Sequence, residues 1–170
     1  MRRAVFLDRD GTLNRAALPG EYVQAAYEVE LLDGAAAAVA LLARAGYLCV
    51  VVSNQRGLAL GQMTNEDLHA VDVRLRDLVA AGGAELNATY YCTHGLDDGC
   101  DCRKPEPGLI TRAARELDIE LAASWVVGDS ATDTEAGVRA GCRTLRVRPV
   151  DGALLAAAQT ILADDQRKAA

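Results

Sequence analysis

Two aspartates offer the first chemical possibility in this chain. Asp8 and Asp10 close the apolar run Ala4-Val5-Phe6-Leu7 and stand just before Gly11. A short apolar run of this kind reads as a buried strand. Residues two apart in extended chain point to the same side, so both carboxylates would face one way. Gly11 then permits a sharp turn. Like charges this close disfavour double ionisation, and a divalent cation would relieve the repulsion. One carboxylate could stay ionised as a nucleophile while the other carries a proton. A strand end followed by a polar turn would account for the same residues without any chemistry.

Three more clusters bear on that choice. Ser53-Asn54-Gln55 ends a second apolar run, Tyr47 to Val52. A hydroxyl and two amides at the carboxyl edge of a strand can bond phosphate oxygens, and ligands of open α/β sheets bind at that edge. Arg103-Lys104 precedes a helix that Pro107 can open. A lysine beside a phosphate would stabilise charge on the transferring group. Asp129 follows a further short run, Trp125 to Val127. It suits a magnesium ligand, because such sites use few carboxylates plus water and phosphate oxygens. Asp133 either joins it or serves as a negative charge at a helix N-terminus.

A fourth cluster is of another kind. Cys92, His94, Cys100 and Cys102 form C-x-H-x5-C-x-C. Three thiols and an imidazole complete a tetrahedral zinc shell with no position left open, the mark of a structural site. The loop 92–102 is rich in glycine and aspartate, so a metal would have to order it. Separate buried thiols or a reducible disulfide are the alternatives. Cys49 and Cys142 read as small core residues, and His69 as a helix-surface residue.

These residues need a frame. Hydrophobic patterning predicts strands at Ala4–Leu7, Tyr47–Val52, Ala88–Tyr91, Trp125–Val127 and Thr144–Val147. Helices are predicted over Ala35–Ala45, from an N-cap at Thr64 to Gly82, from Pro107 to Leu117, up to Ala140, and over Gly152–Ala163. Strand, helix, strand at this spacing implies βαβ units and a parallel sheet. Residues 15–32 read as a loop, with a hairpin pairing Tyr22-Val23 with Val29–Leu32. The tail from Asp164 is expected to fray.

At 170 residues the chain suits one domain, 1–170, with a real core. Charged residues make up 25% and the net charge is −6, which opposes a nucleic-acid partner. No run is long enough to span a membrane, and the apolar stretch after Met1-Arg2-Arg3 is too short for a signal peptide. The five cysteines are an odd number and three sit close together, which points to metal binding rather than a disulfide framework. A cytoplasmic monomer acting on a small molecule is the expectation.

Asp-Arg-Asp-Gly-Thr-Leu-Asn at the end of a first strand resembles motif I of the haloacid dehalogenase superfamily of phosphohydrolases. Ser53, Lys104 and the Asp129/Asp133 pair follow in the order of motifs II, III and IV. The resemblance implies a Rossmann-like three-layer α/β/α fold with a central parallel sheet and no large cap domain. It implies that Asp8 attacks phosphorus and that Asp10 acts as general acid and base. Magnesium would be held by Asp8, the Asp10 carbonyl and Asp129, and the phosphoryl oxygens by Ser53 and Lys104. The inserted zinc cluster is similar to that of the zinc-containing heptose-bisphosphate phosphatases and their histidinol-phosphatase relatives. Residues 53 to 61 look like the heptose branch. That likeness implies a phosphorylated sugar as substrate, contacted by Tyr22, Asn54, Gln55 and Arg103. The chain departs from the branch at Glu21, Arg56, Leu60 and Ser130, and Glu21 could instead meet the ammonium of histidinol phosphate. A zinc-ribbon binding module would explain the cysteines but not Asp8, Lys104 and Asp129.

Overall fold

The computed structural model describes residues 1–169, built around a parallel sheet of five strands. β1 spans Ala4–Leu7, β2 Leu48–Asn54, β3 Ala88–Cys92, β4 Trp125–Gly128 and β5 Arg143–Arg146. Their order is β3-β2-β1-β4-β5, with Phe6 beside Val50 on one side and Val126 on the other. Parallel neighbours need long crossovers, and helices supply them. These are α1 Ala35–Arg44, α2 Asn65–Ala81, α3 Gly108–Leu117, α4 Ala131–Ala140 and α5 Ala153–Ala169.

The strand period of two divides the core into two layers. Val5, Leu7, Cys49, Val51 and Val127 pack under α1, α2 and α5. Ala4, Phe6, Val50, Val52 and Val126 pack under α3 and α4. Both faces of the sheet are therefore covered, and β1 reads as continuous apolar residues rather than an alternation. Cys49 and Cys142 are buried among these residues, and burial pushes both thiols up to about 12.

Helix ends follow local chemistry. Thr64 Oγ1 accepts from the Asp67 amide at 3.1 Å, and Asp67 Oδ2 accepts from the Thr64 amide at 2.8 Å. This reciprocal box satisfies two amides that a helix start would otherwise leave unpaired. Ser130 and Asp133 make the same box at the start of α4.

Two expectations are corrected. No hairpin forms between residues 22–23 and 29–32. Glu28 turns back to accept the amides of Gln24 and Ala25, at 2.7 and 3.1 Å, which winds Ala26–Glu28 into a short 3-10 helix. Val23 and Val29 enter the core instead of pairing, and one antiparallel bridge joins Asn14 to Leu31. Nor does the tail fray at Asp164, since α5 continues to Ala169. Asp164 pairs with Arg143 and Lys168, and Asp165 with Arg3 at 2.7 Å, so ion pairs carry the helix past its apolar part.

The chain lays β1, β2 and β3 outward in one direction, then returns to place β4 and β5 on the other side of β1. Between β1 and β4 the crossovers diverge, leaving a crevice at the carboxyl edge where such sheets bind ligands.

Candidate active site

Three strand ends deliver the polar groups of that crevice. Asp8 follows β1, Ser53 lies at the end of β2 and Asp129 follows β4. Two glycines let them converge. Gly11 has φ +82°, and a Cβ there would stand 2.4 Å from Asp129 Oδ2. A Cβ on Gly128 would stand 2.3 Å from the Asp133 carboxylate. Both positions exclude larger residues because carboxylates press against the backbone.

Lys104 comes from outside the sheet and is buried within it. Its Nζ donates to Asp8 Oδ1 at 2.8 Å, to Asp133 Oδ1 at 2.5 Å and to the Val52 carbonyl at 2.9 Å. All three ammonium protons are thereby used. Burial alone would lower the lysine's pKa, but Asp8 and Asp133 outweigh it and hold the group charged. Asn54 aims the lysine. Its amide donates to the Lys104 carbonyl at 3.0 Å, and its oxygen accepts the Lys104 amide at 3.0 Å.

The two motif aspartates sit in opposite environments. Burial pushes the Asp8 carboxyl up to about 6, against the pull of Lys104 and with the help of Asp133 and Asp10. Asp10 is also buried, which would raise it, yet the Arg9 guanidinium leads a set of donors that hold it below the usual carboxylate range. Arg9 donates twice, Nε to Oδ1 at 3.0 Å and Nη2 to Oδ2 at 2.9 Å. Gln55 and Asn14 add amide donors at 2.8 and 2.9 Å.

Four carboxylates, Asp8, Asp10, Asp129 and Asp133, meet two buried cations, Lys104 and Arg9. The excess of two negative charges matches a divalent cation. Carboxylate oxygens of Asp8, Asp129 and Asp133 lie within 4.8 Å of one another, a hard-oxygen set of the kind magnesium takes. Asp133 is already engaged, since Ser130 donates to its second oxygen from the backbone amide at 3.0 Å. Asp8 and Asp129 are thus the freer pair. Burial, with Asp133 beside it, raises Asp129 as well, and a cation would reverse that rise.

The cysteine cluster also assembles. Sγ of Cys92 lies 3.8 Å from Sγ of Cys100 and 3.6 Å from Nδ1 of His94, and that nitrogen lies 3.2 Å from Sγ of Cys102. Zinc–sulfur bonds of about 2.3 Å in a tetrahedron put sulfurs roughly 3.8 Å apart. Cys92 ends β3, and its carbonyl accepts the Gln55 amide at 2.7 Å. The cluster therefore borders the site through Gln55 as well as through the chain to Lys104.

Asn54 and Gln55, read from sequence as substrate contacts, have their side chains engaged inside the protein. Arg103 keeps Nη1 buried without a partner among the described residues. Tyr22 packs its ring over Gly57 in the loop after β2. Patterning alone did not single out Arg9, which is fully buried. A charged residue between two aspartates at a strand end was the available signal. Asp133 caps the start of α4 and lies beside Asp8 and Asp129.

Residues 101–164 match the HAD-hydrolase-like family model. The D-glycero-beta-D-manno-heptose-1,7-bisphosphate 7-phosphatase of Pseudomonas aeruginosa is 38% identical over 151 residues, 89% of this chain and 84% of its own length. Its Pseudomonas putida counterpart is 39% identical over 150 residues, 88% of this chain and 85% of its own. The crystal structure of D,D-heptose 1,7-bisphosphate phosphatase from Bordetella bronchiseptica, complexed with magnesium and phosphate, superposes with a TM-score of 0.87 at 33% identity. It covers 95% of this chain and 99% of its own. With identity this high along nearly its whole length and the same fold, the chain belongs to the haloacid dehalogenase superfamily of phosphatases, in the heptose-1,7-bisphosphate 7-phosphatase family.

Proposed function

We propose that this phosphatase removes the 7-phosphate of D-glycero-D-manno-heptose 1,7-bisphosphate through a phosphoryl group carried on Asp8. The observation that carries the reading is the buried Lys104 ammonium bonded to Asp8 at the carboxyl edge of the sheet. An Asp8 oxygen attacks phosphorus, and the bond to the sugar oxygen breaks. Asp10, ionised beside Arg9 in the free protein, passes to that oxygen a proton brought in by the phosphate monoanion. Asp10 then takes a proton from water, whose oxygen attacks phosphorus and returns Asp8 as a carboxylate. The Ser53 hydroxyl binds a phosphoryl oxygen, and Lys104 does so with the Nζ proton that Asp8 gives up as it attacks. Magnesium, on Asp8, Asp129 and the Asp10 carbonyl, would supply positive charge to a phosphate oxygen and to Asp8. Arg103, next to Lys104 in the chain, would offer a cation to the substrate's second phosphate.

Protons and magnesium compete for Asp8. With that carboxyl near 6 in the metal-free protein, magnesium affinity should weaken roughly tenfold per pH unit below about 6. Calorimetric titration of metal-free protein from pH 8 to pH 5 measures this. An affinity flat across that range would remove Asp8 from the ligand set.

Zinc, on Cys92, His94, Cys100 and Cys102, has a structural role in this reading, since the shell leaves no open position. Reduced thiols are needed there, which fits the cytoplasm. Cys100→Ser should lose zinc, lower the melting temperature and raise KM through Arg103 and Lys104. Elemental analysis beside a melting curve checks it. A zinc-free protein with unchanged melting and KM would count against the role.

The substrate is tested by kcat/KM on heptose 1,7-bisphosphate, its monophosphates and histidinol phosphate. The bisphosphate should lead, and Arg103→Ala should narrow its lead over monophosphates. Better turnover of histidinol phosphate would give the site to that amine instead.

A further inference from the structure

Arg9 lies between the two motif aspartates, where strand alternation turns it away from both. Its side chain nonetheless curls back to its neighbour and is 0% exposed. Burying a guanidinium is costly unless it is closely paired. Among the described residues it pairs with Asp10 alone, through a two-point fork. The pairing is cross-braced. Arg9 Nη2 also donates to Gln55 Oε1 at 2.9 Å, and Gln55 Nε2 donates to Asp10 Oδ2 at 2.8 Å. Arg9, Asp10 and Gln55 so form a closed ring of hydrogen bonds. The Gln55 backbone N–H, donating to the Cys92 carbonyl, ties that ring to the end of β3. Behind the guanidinium stands the Tyr91 ring, its centroid 5.7 Å from Cζ. Tyr91 is itself anchored, its hydroxyl donating to Asp72 Oδ1 at 2.7 Å.

We infer that Arg9 is a positioning residue for the acid–base step, its fork fixing the Asp10 carboxylate for proton transfer to the departing oxygen. This rests on the reading of Asp10 as the acid–base group. Without the fork, each Asp10 oxygen keeps one donor instead of two among the described residues, Asn14 on Oδ1 and Gln55 on Oδ2, and the carboxylate is held less firmly. Misplacement by about 1 Å costs a reacting group on the order of 10²-fold. A lysine keeps the charge but not the planar two-point geometry.

A merely structural ion pair would slow all substrates alike, whereas a positioning role depends on the leaving group. A sugar alkoxide needs a proton as it departs, and p-nitrophenolate does not. The parameter to compare is kcat/KM, which covers the steps up to departure. Arg9→Met should lower kcat/KM for the sugar bisphosphate by roughly 10–10²-fold, and that for p-nitrophenyl phosphate by less than about threefold. Arg9→Lys should fall between wild type and Arg9→Met on the sugar substrate. Asp10→Asn, run alongside, should show the same asymmetry more strongly. Equal losses on both substrates in Arg9→Met, with Asp10→Asn asymmetric, would overturn the inference and leave the Asp10 reading intact. Equal losses in Asp10→Asn would overturn that reading itself. If Arg9→Met does not fold, Gln55→Met replaces it, since it removes the brace and leaves the fork unsupported. It should show the same asymmetry at smaller size, and its absence would overturn the inference.

Discussion

Asp8→Asn should abolish turnover and yield a more stable metal-free protein. An amide is a poor nucleophile, so kcat should fall on the order of 10⁴–10⁶-fold, the scale seen when a covalent nucleophile is removed. The stability effect follows from the raised Asp8 pKa. Between the ordinary 3.8 and about 6 the folded state holds more protons than the unfolded one. Stability from this group is therefore greatest at low pH and is lost as pH rises through that window. At pH 7 the shift corresponds to about 3 kcal/mol against folding. Asparagine carries no such charge and can still accept from Lys104. Urea unfolding of metal-free wild type and variant at pH 7 measures the difference, which should lie in the variant's favour. A variant that is inactive but less stable would mean that Asp8 holds the fold rather than stores strain for catalysis.

Lys104→Met should be damaging on both counts. It leaves Asp8 and Asp133 buried without their shared cation and removes a donor from the Val52 carbonyl. Breaking one side of a buried ion pair costs about 3–5 kcal/mol. Loss of a group that stabilises transition-state charge costs roughly 10²–10³-fold in rate. A second substitution separates the two effects. Adding Asp133→Asn removes one of the two uncompensated charges, so stability should return in part while kcat/KM stays low. Recovery of activity along with stability would reduce Lys104 to a structural cation.

Much of this site was legible in the chain because each motif ends a strand. Asp8, Ser53 and Asp129 follow apolar runs, and a parallel sheet must bring such ends to one edge. The cysteine cluster was readable from spacing alone, because four ligand-type residues within eleven positions need no long-range information. Partner choice was not readable. Asn54 and Gln55 looked like substrate contacts because amides at a strand end have free valences in a sequence. In the structure Lys104 and Asp10 take those valences, from residues distant in the chain. Arg9 was hidden for the same reason, since its place in the sequence looks exposed. The expected hairpin failed because Glu28 caps its own turn, a contact that competes with strand pairing and that apolar patterning does not register. The last turns of α5 were missed because their support is charge pairing with Arg3 and Arg143, not an apolar face.

The covalent step can be observed directly. Heptose bisphosphate labelled at the 7-phosphate would be mixed with Asp10→Asn protein and magnesium, quenched in acid at short times, and the peptides mapped for label. Asp10→Asn slows the attack of water, so the phosphoryl group should collect on the peptide that begins the chain, at Asp8, and on no other. Sugar monophosphate released with no label on protein at any time, or label on a different residue, would contradict the Asp8 route.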